Sequence, residues 1–256
     1  MKRVSKAPAA SAAPATHGVD FMAVAAHPDD AELFCGGTLL KLRALGREGV
    51  LVDVSDGGAG TRGSAGIRAR EAAAAAKALG VARACLGEPD GRLRNTLEAQ
   101  WKLIEAIRRF RPKVIFTHHP SEEHPDHGAV AAMVKEAVFR AGLRKLDVPG
   151  EPWRPARIFY AVASANAVTP SFCVDVTEQW EGKLRVIRCY ESQFHNPKAK
   201  GYKGKTDLAT PAFMEAVEIR ARFYGARIRR RYAEAFWCEE AAEVADPTAL
   251  GTERFP

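Results

Sequence analysis

From residue 20 onward, short apolar runs alternate with longer helical stretches, and this alternation limits the fold more than any other feature. The apolar runs lie at 21–26, 50–55, 82–86 and 114–118. The helical patterns lie at 36–45, 67–79, 97–110 and 128–141. Connections of this length are too long for hairpins, so they predict parallel strand pairing with right-handed crossovers. Two further strand-like runs follow at 158–163 and 172–176, and helices at 178–190 and 211–236 close the chain. The expectation is a three-layer α/β, Rossmann-like fold with a mainly parallel sheet. A C-terminal extension from about residue 150 should widen the sheet and build one wall of a site. No internal repeat of fixed period is present.

Composition narrows the class further. With 256 residues, 46% hydrophobic and 27% charged, the chain can bury a core and is not a disordered, collagen-like or coiled-coil sequence. Its apolar runs, such as FMAVAA, are far too short to span a bilayer. Five cysteines are scattered without any C-x-x-C pair, which argues against a disulfide scaffold or a cysteine-zinc ribbon and fits a reducing cytoplasm. The net charge of +7 suits a solvated surface, an anionic substrate or nucleic acid. The densest basic run, IRARFYGARIRRRY at 219–232, carries Ile219, Phe223, Ile228 and Tyr232 and reads as an amphipathic helix with a charged face. No nucleic-acid-binding signature accompanies it, so neither nucleic acid nor membrane is expected as a partner. Residues 1–19, rich in Ala, Pro and Ser, read as a disordered extension. Residues 20–237 read as one domain, 195–210 as a basic surface loop, and 238–256 as a tail.

The chemistry concentrates in two blocks. Four of the seven histidines fall in the ten residues HHPSEEHPDH (His118, His119, His124, His127), and His27 stands in AHPDDAE at 26–32. Both blocks follow an apolar strand directly. In an open parallel sheet the crevice lies beyond the carboxyl ends of the strands, where strand order reverses. A 3-2-1-4 order would set the strand ending at Ala26 beside the one ending near His118, bringing the blocks together. Two histidines and one carboxylate form a common catalytic zinc shell with a position left for water. Asp29 and Asp30 are adjacent and cannot readily both face one ion, so one would ligate while the other acts as base. The competing account makes these residues helix caps, a role that suits Asp30 and Asp126.

These blocks, with GGTLLKL at 36–42, resemble the LmbE/PIG-L-like zinc-dependent N-acetylglucosaminyl deacetylases. The branch acting in bacillithiol synthesis is the nearest in appearance, through GTRGS (60–64), PDG (89–91), YESQF (190–194) and ARFYGARI (221–228). The resemblance implies His27, Asp30 and His127 as metal ligands, with zinc as the ion and Fe2+ or another divalent ion as the alternative. It implies Asp29 as general base, His124 as oxyanion stabiliser and Asp126 as the residue that orients and charges His124. Arg62 and Asp90 would contact substrate. It further implies a cytoplasmic homo-oligomer, hexameric in form, acting on a small N-acetylated sugar such as GlcNAc-malate. Other N-acyl sugars (GlcNAc-inositol, a chitooligosaccharide, an antibiotic precursor) fit the same motifs. Zinc would bring its water near a pKa of about 7, and one oxyanion donor is worth about 3 kcal/mol. Either Asp29 or His124 could protonate the leaving amine.

Rival signals are weaker. GAGTRG at 58–63 matches G-x-G-x-x-G but follows the second strand and lacks the downstream acidic residue, so it reads as a turn or a rim presenting Arg62. No G-x-S-x-G elbow is present for a serine hydrolase. Glu32 reads as support for a ligand histidine or as a helix-start carboxylate. His118 and His119 read as structural, His195 as an exposed loop residue, Phe194 as core, and Glu122 and Glu123 as solvated. A non-catalytic zinc- or carbohydrate-binding module on this fold would have no need of Asp29 beside a ligating Asp30.

Overall fold

A computed structural model describes residues 18–163, 168–196, 204–241, 243–244 and 246. The expected extension therefore lies mostly outside the described residues, as do 197–203 of the expected basic loop and most of the tail.

Seven strands form one sheet in the order β3-β2-β1-β4-β5-β7-β6. The strands are β1 (Phe21–Ala25), β2 (Gly49–Ser55), β3 (Ala82–Glu88), β4 (Val114–His118), β5 (Arg157–Ala161), β6 (Phe172–Asp175) and β7 (Ala233–Trp237). The first five pair in parallel, and β7 runs antiparallel between β5 and β6. The helices are α1 (Asp30–Ala44), α2 (Ala65–Leu79), α3 (Leu97–Phe110), α4 (Pro125–Ala141), α5 (Trp180–Ile187) and α6 (Pro211–Arg227). This is the mainly parallel three-layer architecture expected from the alternation. None of the described helices is long and apolar enough to cross a membrane.

β1 reads FMAVA because both of its faces are covered, as is usual for a central parallel strand. Met22 and Val24 pack with Leu103, Ile107 and Val134 on the α3/α4 side. Phe21, Ala23 and Ala25 pack with Leu39, Ala75 and Ile187 on the α1/α2/α5 side. Helix starts follow side-chain caps: Ser64 accepts from Ile67 N at 3.4 Å, and Thr96 from Ala99 N at 3.2 Å.

Most boundaries shift by one to three residues, and three bear on the site. α1 and α4 begin at Asp30 and Pro125, earlier than residues 36 and 128, because the motif residues themselves form the first helical turns. The expected helix 211–236 ends at Arg227, and the chain returns as β7. Arg229 adopts a left-handed φ of 58°, and Gly225 lets the returning chain pass. A Cβ on Gly225 would sit 2.7 Å from the Arg230 carbonyl oxygen. The basic run is thus a helix end plus a turn. Ile219 and Phe223 are exposed on α6, while Tyr232 is buried beyond it.

Candidate active site

β1 and β4 are neighbours, and the chain leaves them toward opposite flanks of the sheet. The loops beyond their carboxyl ends open a cavity of about 410 Å³, within the range of small-molecule sites. His27, Asp29 and Asp30 enter it from the end of β1, and His118, Glu122, His124 and His127 from the end of β4.

Ligand-type atoms of His27, Asp30 and His127 lie within 4.8 Å of one another. Asp30 Oδ2 is 3.1 Å from His27 Nδ1 and 3.4 Å from His127 Nε2. A tetrahedral shell with zinc–ligand bonds near 2.0–2.1 Å separates neighbouring ligand atoms by about 3.3 Å, so the three atoms fit one ion. Each imidazole is also held from behind by carboxylates. His27 Nε2 lies 3.1 Å from Asp90 and 3.3 Å from Asp126, and His127 Nδ1 lies 3.3 Å from Glu122. Carboxylate–histidine pairs of this kind fix the ring and raise ligand basicity.

The electrostatics follow. Burial opposes charge on His27, but Asp30 and Asp90 outweigh it and raise its pKa to about 11. His127 rises in the same way to about 9, through Asp30 and Glu122. Burial would raise Asp30, yet the two imidazoles beside it hold it well below the usual carboxylate range. Such a concentration of histidine protons around one carboxylate is the place a divalent cation would take over.

Asp29 is buried like Asp30 but differs in backbone and partners. It is 4% exposed, precedes α1, and has a φ of 105°, a region that a non-glycine residue occupies only under constraint. Burial pushes its carboxyl up to about 7, against the pull of Arg68 and with help from Asp30 and Glu32. Arg68 Nη1 donates to Asp29 Oδ2 at 2.9 Å, and Nη2 donates to the Pro28 carbonyl. Gly57, at φ +68°, makes room for this: a Cβ there would meet Arg68 Nε at 2.9 Å.

His124 caps α4, its Nδ1 accepting from Asp126 N at 3.2 Å. With Nδ1 used as acceptor, the neutral ring carries its proton on Nε2. Burial, with the His127 and His27 cations, lowers the pKa of His124. The Asp126 carboxylate accepts from Gly91 N (2.9 Å) and Leu93 N (3.2 Å) and faces His27 Nε2. Asp126 thus orients His124 through its backbone N–H and favours charge on it, while its carboxylate also supports His27.

The two expected substrate contacts part company. Asp90 lines the cavity, bonding His27 and accepting from Ala59 N at 2.7 Å. Arg62 is not among the cavity-lining residues, and its carbonyl accepts from Gln193 Nε2 at 2.7 Å. On this flank the guanidinium at the cavity is that of Arg68, which sits one turn into α2, where a loop-centred reading of GAGTRG does not reach. Glu122 is a correction as well: it backs His127 and is not solvated. No spacing rule marks it, because it lies on an irregular turn.

Other expectations resolve simply. Glu32 accepts from Arg83 (2.6 Å) and Tyr190 (2.7 Å), and neither partner is a ligand histidine. His118 is buried, accepts from Ala26 N at 3.0 Å and stacks on His127 with ring centroids 3.9 Å apart, lining the cavity as well as packing. His119 packs edge-on against Trp237 and accepts from Ser121 N. His195 is exposed. Gln193 lines the cavity, and Phe194 is core.

The chain is similar to known proteins over this whole region. The model of the family PIG-L, GlcNAc-PI de-N-acetylase, matches residues 22–138, which span both histidine blocks. Diacetylchitobiose deacetylase of Thermococcus kodakarensis is 32% identical, over 66% of this chain and 67% of its own. The 1D-myo-inositol 2-acetamido-2-deoxy-alpha-D-glucopyranoside deacetylase of Nocardiopsis dassonvillei is 33% identical, over 83% of this chain and 97% of its own. The crystal structure of a conserved protein from Thermus thermophilus superposes with a TM-score of 0.79 at 35% identity, covering 89% of this chain and 98% of that one. Motif, fold and sequence match thus agree on the same residues, and the chain belongs to the PIG-L (GlcNAc-PI de-N-acetylase) family.

Proposed function

We propose that the chain hydrolyses the N-acetyl group of an N-acetylglucosamine conjugate, releasing acetate and the free amine. His27, Asp30 and His127 would hold the divalent ion, and two imidazoles with one carboxylate make zinc the choice, with Fe2+ the alternative. When bound, such an ion supplies Lewis acidity to the acyl oxygen and acidifies water. Asp29 takes the proton of the attacking water; burial makes it a stronger proton acceptor than an ordinary carboxylate. Arg68 holds that carboxylate in place. His124 Nε2–H donates to the oxygen on which negative charge develops. Protonated Asp29 can return its proton to the departing amine.

One observation carries this reading: a buried, strained, proton-accepting Asp29 stands beside a ligand set that is complete without it. A module that only stored metal or bound sugar would gain nothing from that arrangement. The relatives named above, which act on acetylated chitobiose and on an inositol glycoside by their names, support the sugar end of the substrate. For the rest of the substrate the reading takes a small glycoside of the GlcNAc-malate kind. It extends to a cytoplasmic homo-oligomer, which sedimentation equilibrium checks. The deciding experiment measures amine release from GlcNAc-malate, GlcNAc-inositol and diacetylchitobiose on protein of known metal content. Turnover of at least one is expected; no amine from any of them, at one ion per chain, would remove the proposal.

A further inference from the structure

The cavity has two unlike walls. On the β2/β3 flank it is lined by Gly57, Ala59 and Gly60 with Asp90 and Gly91. On the β5/β7 flank it is lined by Leu33, Phe34, Ala163, Phe213 and Val217, and one charged side chain, Arg220 of α6, stands among them. Arg220 also borders a small void of about 30 Å³ behind the same apolar residues.

Arg220 is half-buried, and burial pushes its pKa below the ordinary arginine value, with Glu122 opposing at a distance. Among the described residues it makes no hydrogen bond or ion pair; Glu122, which acts on it electrostatically, bonds His127, and Lys183 and Glu234 at the adjoining void pair with each other. Two other buried arginines near the site are ion-paired. Arg68 holds Asp29 at 2.9 Å, and Arg83 holds Asp53 at 2.5 Å and Glu32 at 2.6 Å. An arginine stays charged, so a guanidinium in an apolar wall costs desolvation, and Glu122 offsets it only in part. Its planar fork matches a carboxylate or a phosphate, and in a poorly solvated wall that bond is strong.

Resting on the deacetylase reading above, we propose that Arg220 reads a negative charge on the substrate, so that the N-acetylated sugar carries a carboxylate or phosphate on the part lying away from the amide. The acetamido group belongs at His27, Asp30, His127 and Asp29. The sugar then extends along the cavity, and its substituent reaches the α6 wall, where Leu33, Phe34 and Val217 accept a short carbon skeleton and Arg220 its charge.

The test uses matched glycosides of N-acetylglucosamine: the carboxymethyl glycoside, its uncharged carbamoylmethyl isostere, and the sugar 1-phosphate. On metal-loaded wild type, kcat/KM for the carboxymethyl glycoside should exceed that of the isostere by about tenfold or more. In Arg220→Gln that ratio should collapse, through a loss of about ten- to hundredfold on the charged substrate beyond any loss on the isostere. Arg220→Lys should keep part of the preference. Comparing the 1-phosphate with the carboxymethyl compound identifies which anion fits. Equal treatment of charged and neutral glycosides by wild type, or an equal loss of both in Arg220→Gln at unchanged metal content, overturns the proposal. Calorimetric binding separates the two readings. Charge-selective binding that disappears in Arg220→Gln, without amine release from any conjugate, keeps the role of Arg220 and removes the deacetylase reading. Amine release without charge preference does the reverse.

Discussion

Asp29 shows how much of the site rests on single side chains. Its backbone has a φ of 105°, which Asn tolerates better than most residues. Asp29→Asn should therefore fold and keep its metal while losing about 10²- to 10⁴-fold in kcat, checked by amine release beside metal analysis. Glu122 tests the support of the ligands. Glu122→Gln leaves a poorer partner for His127 Nδ1 and should weaken metal affinity by about 10- to 100-fold, read by chelator competition. The sequence makes the ligand-type residues plain, because His-Pro-Asp blocks follow two strands. It does not reveal their supports. Glu122 is one acidic residue on a polar turn, and Arg68 is one arginine on an amphipathic helix. Only the folded chain shows that the first reaches a ligand ring and the second a buried carboxylate.

α1 carries Asp30, and its position depends on a buried pair from elsewhere. Lys183 Nζ donates to Glu234 Oε1 at 2.7 Å and to the Leu33 carbonyl at 2.6 Å, while Glu234 accepts from Gly37 N and Thr38 N of α1. Both side chains are almost fully buried. Glu234→Ala would leave the Lys183 charge and two helix amides without that partner, and should destabilise the fold by about 3–5 kcal/mol, measured by urea denaturation. Glu234 lies on β7, the strand that periodicity missed. The sequence around it reads RIRRRYAEAFW, and arginine and alanine suit a helix as well as a strand. The deciding facts, a left-handed Arg229 and a glycine whose missing Cβ admits the returning chain, are tertiary. The helices and parallel strands of the first half were legible because each has one strong period and a clear boundary. Leu97–Phe110, opened by Thr96, was found to the residue.

At the scale of the molecule, the sheet order β3-β2-β1-β4 is what makes one site from two distant blocks; alternation predicts a parallel sheet, and the order, assumed as a condition, is fixed only by the folded chain. The proposed ligands come from both halves of the sheet, so an ion held by them would add to global stability. Stripping it with a chelator should lower Tm, and resupply at about a thousandfold over Kd should restore about 4 kcal/mol, followed by calorimetry. The pairing of Phe21 with Val114 has a further consequence for how the molecule comes into being. His27 and Asp126 stand 99 positions apart, and no hairpin can join them early. Long-range parallel contacts form late, after the intervening chain has been drawn in. The binding pocket for the ion is thus born only when the middle of the sheet closes. On the proposed ligand set, an ion added during refolding would act as a clock hand for that event, and once caught would work as a clasp that holds the newly joined halves shut.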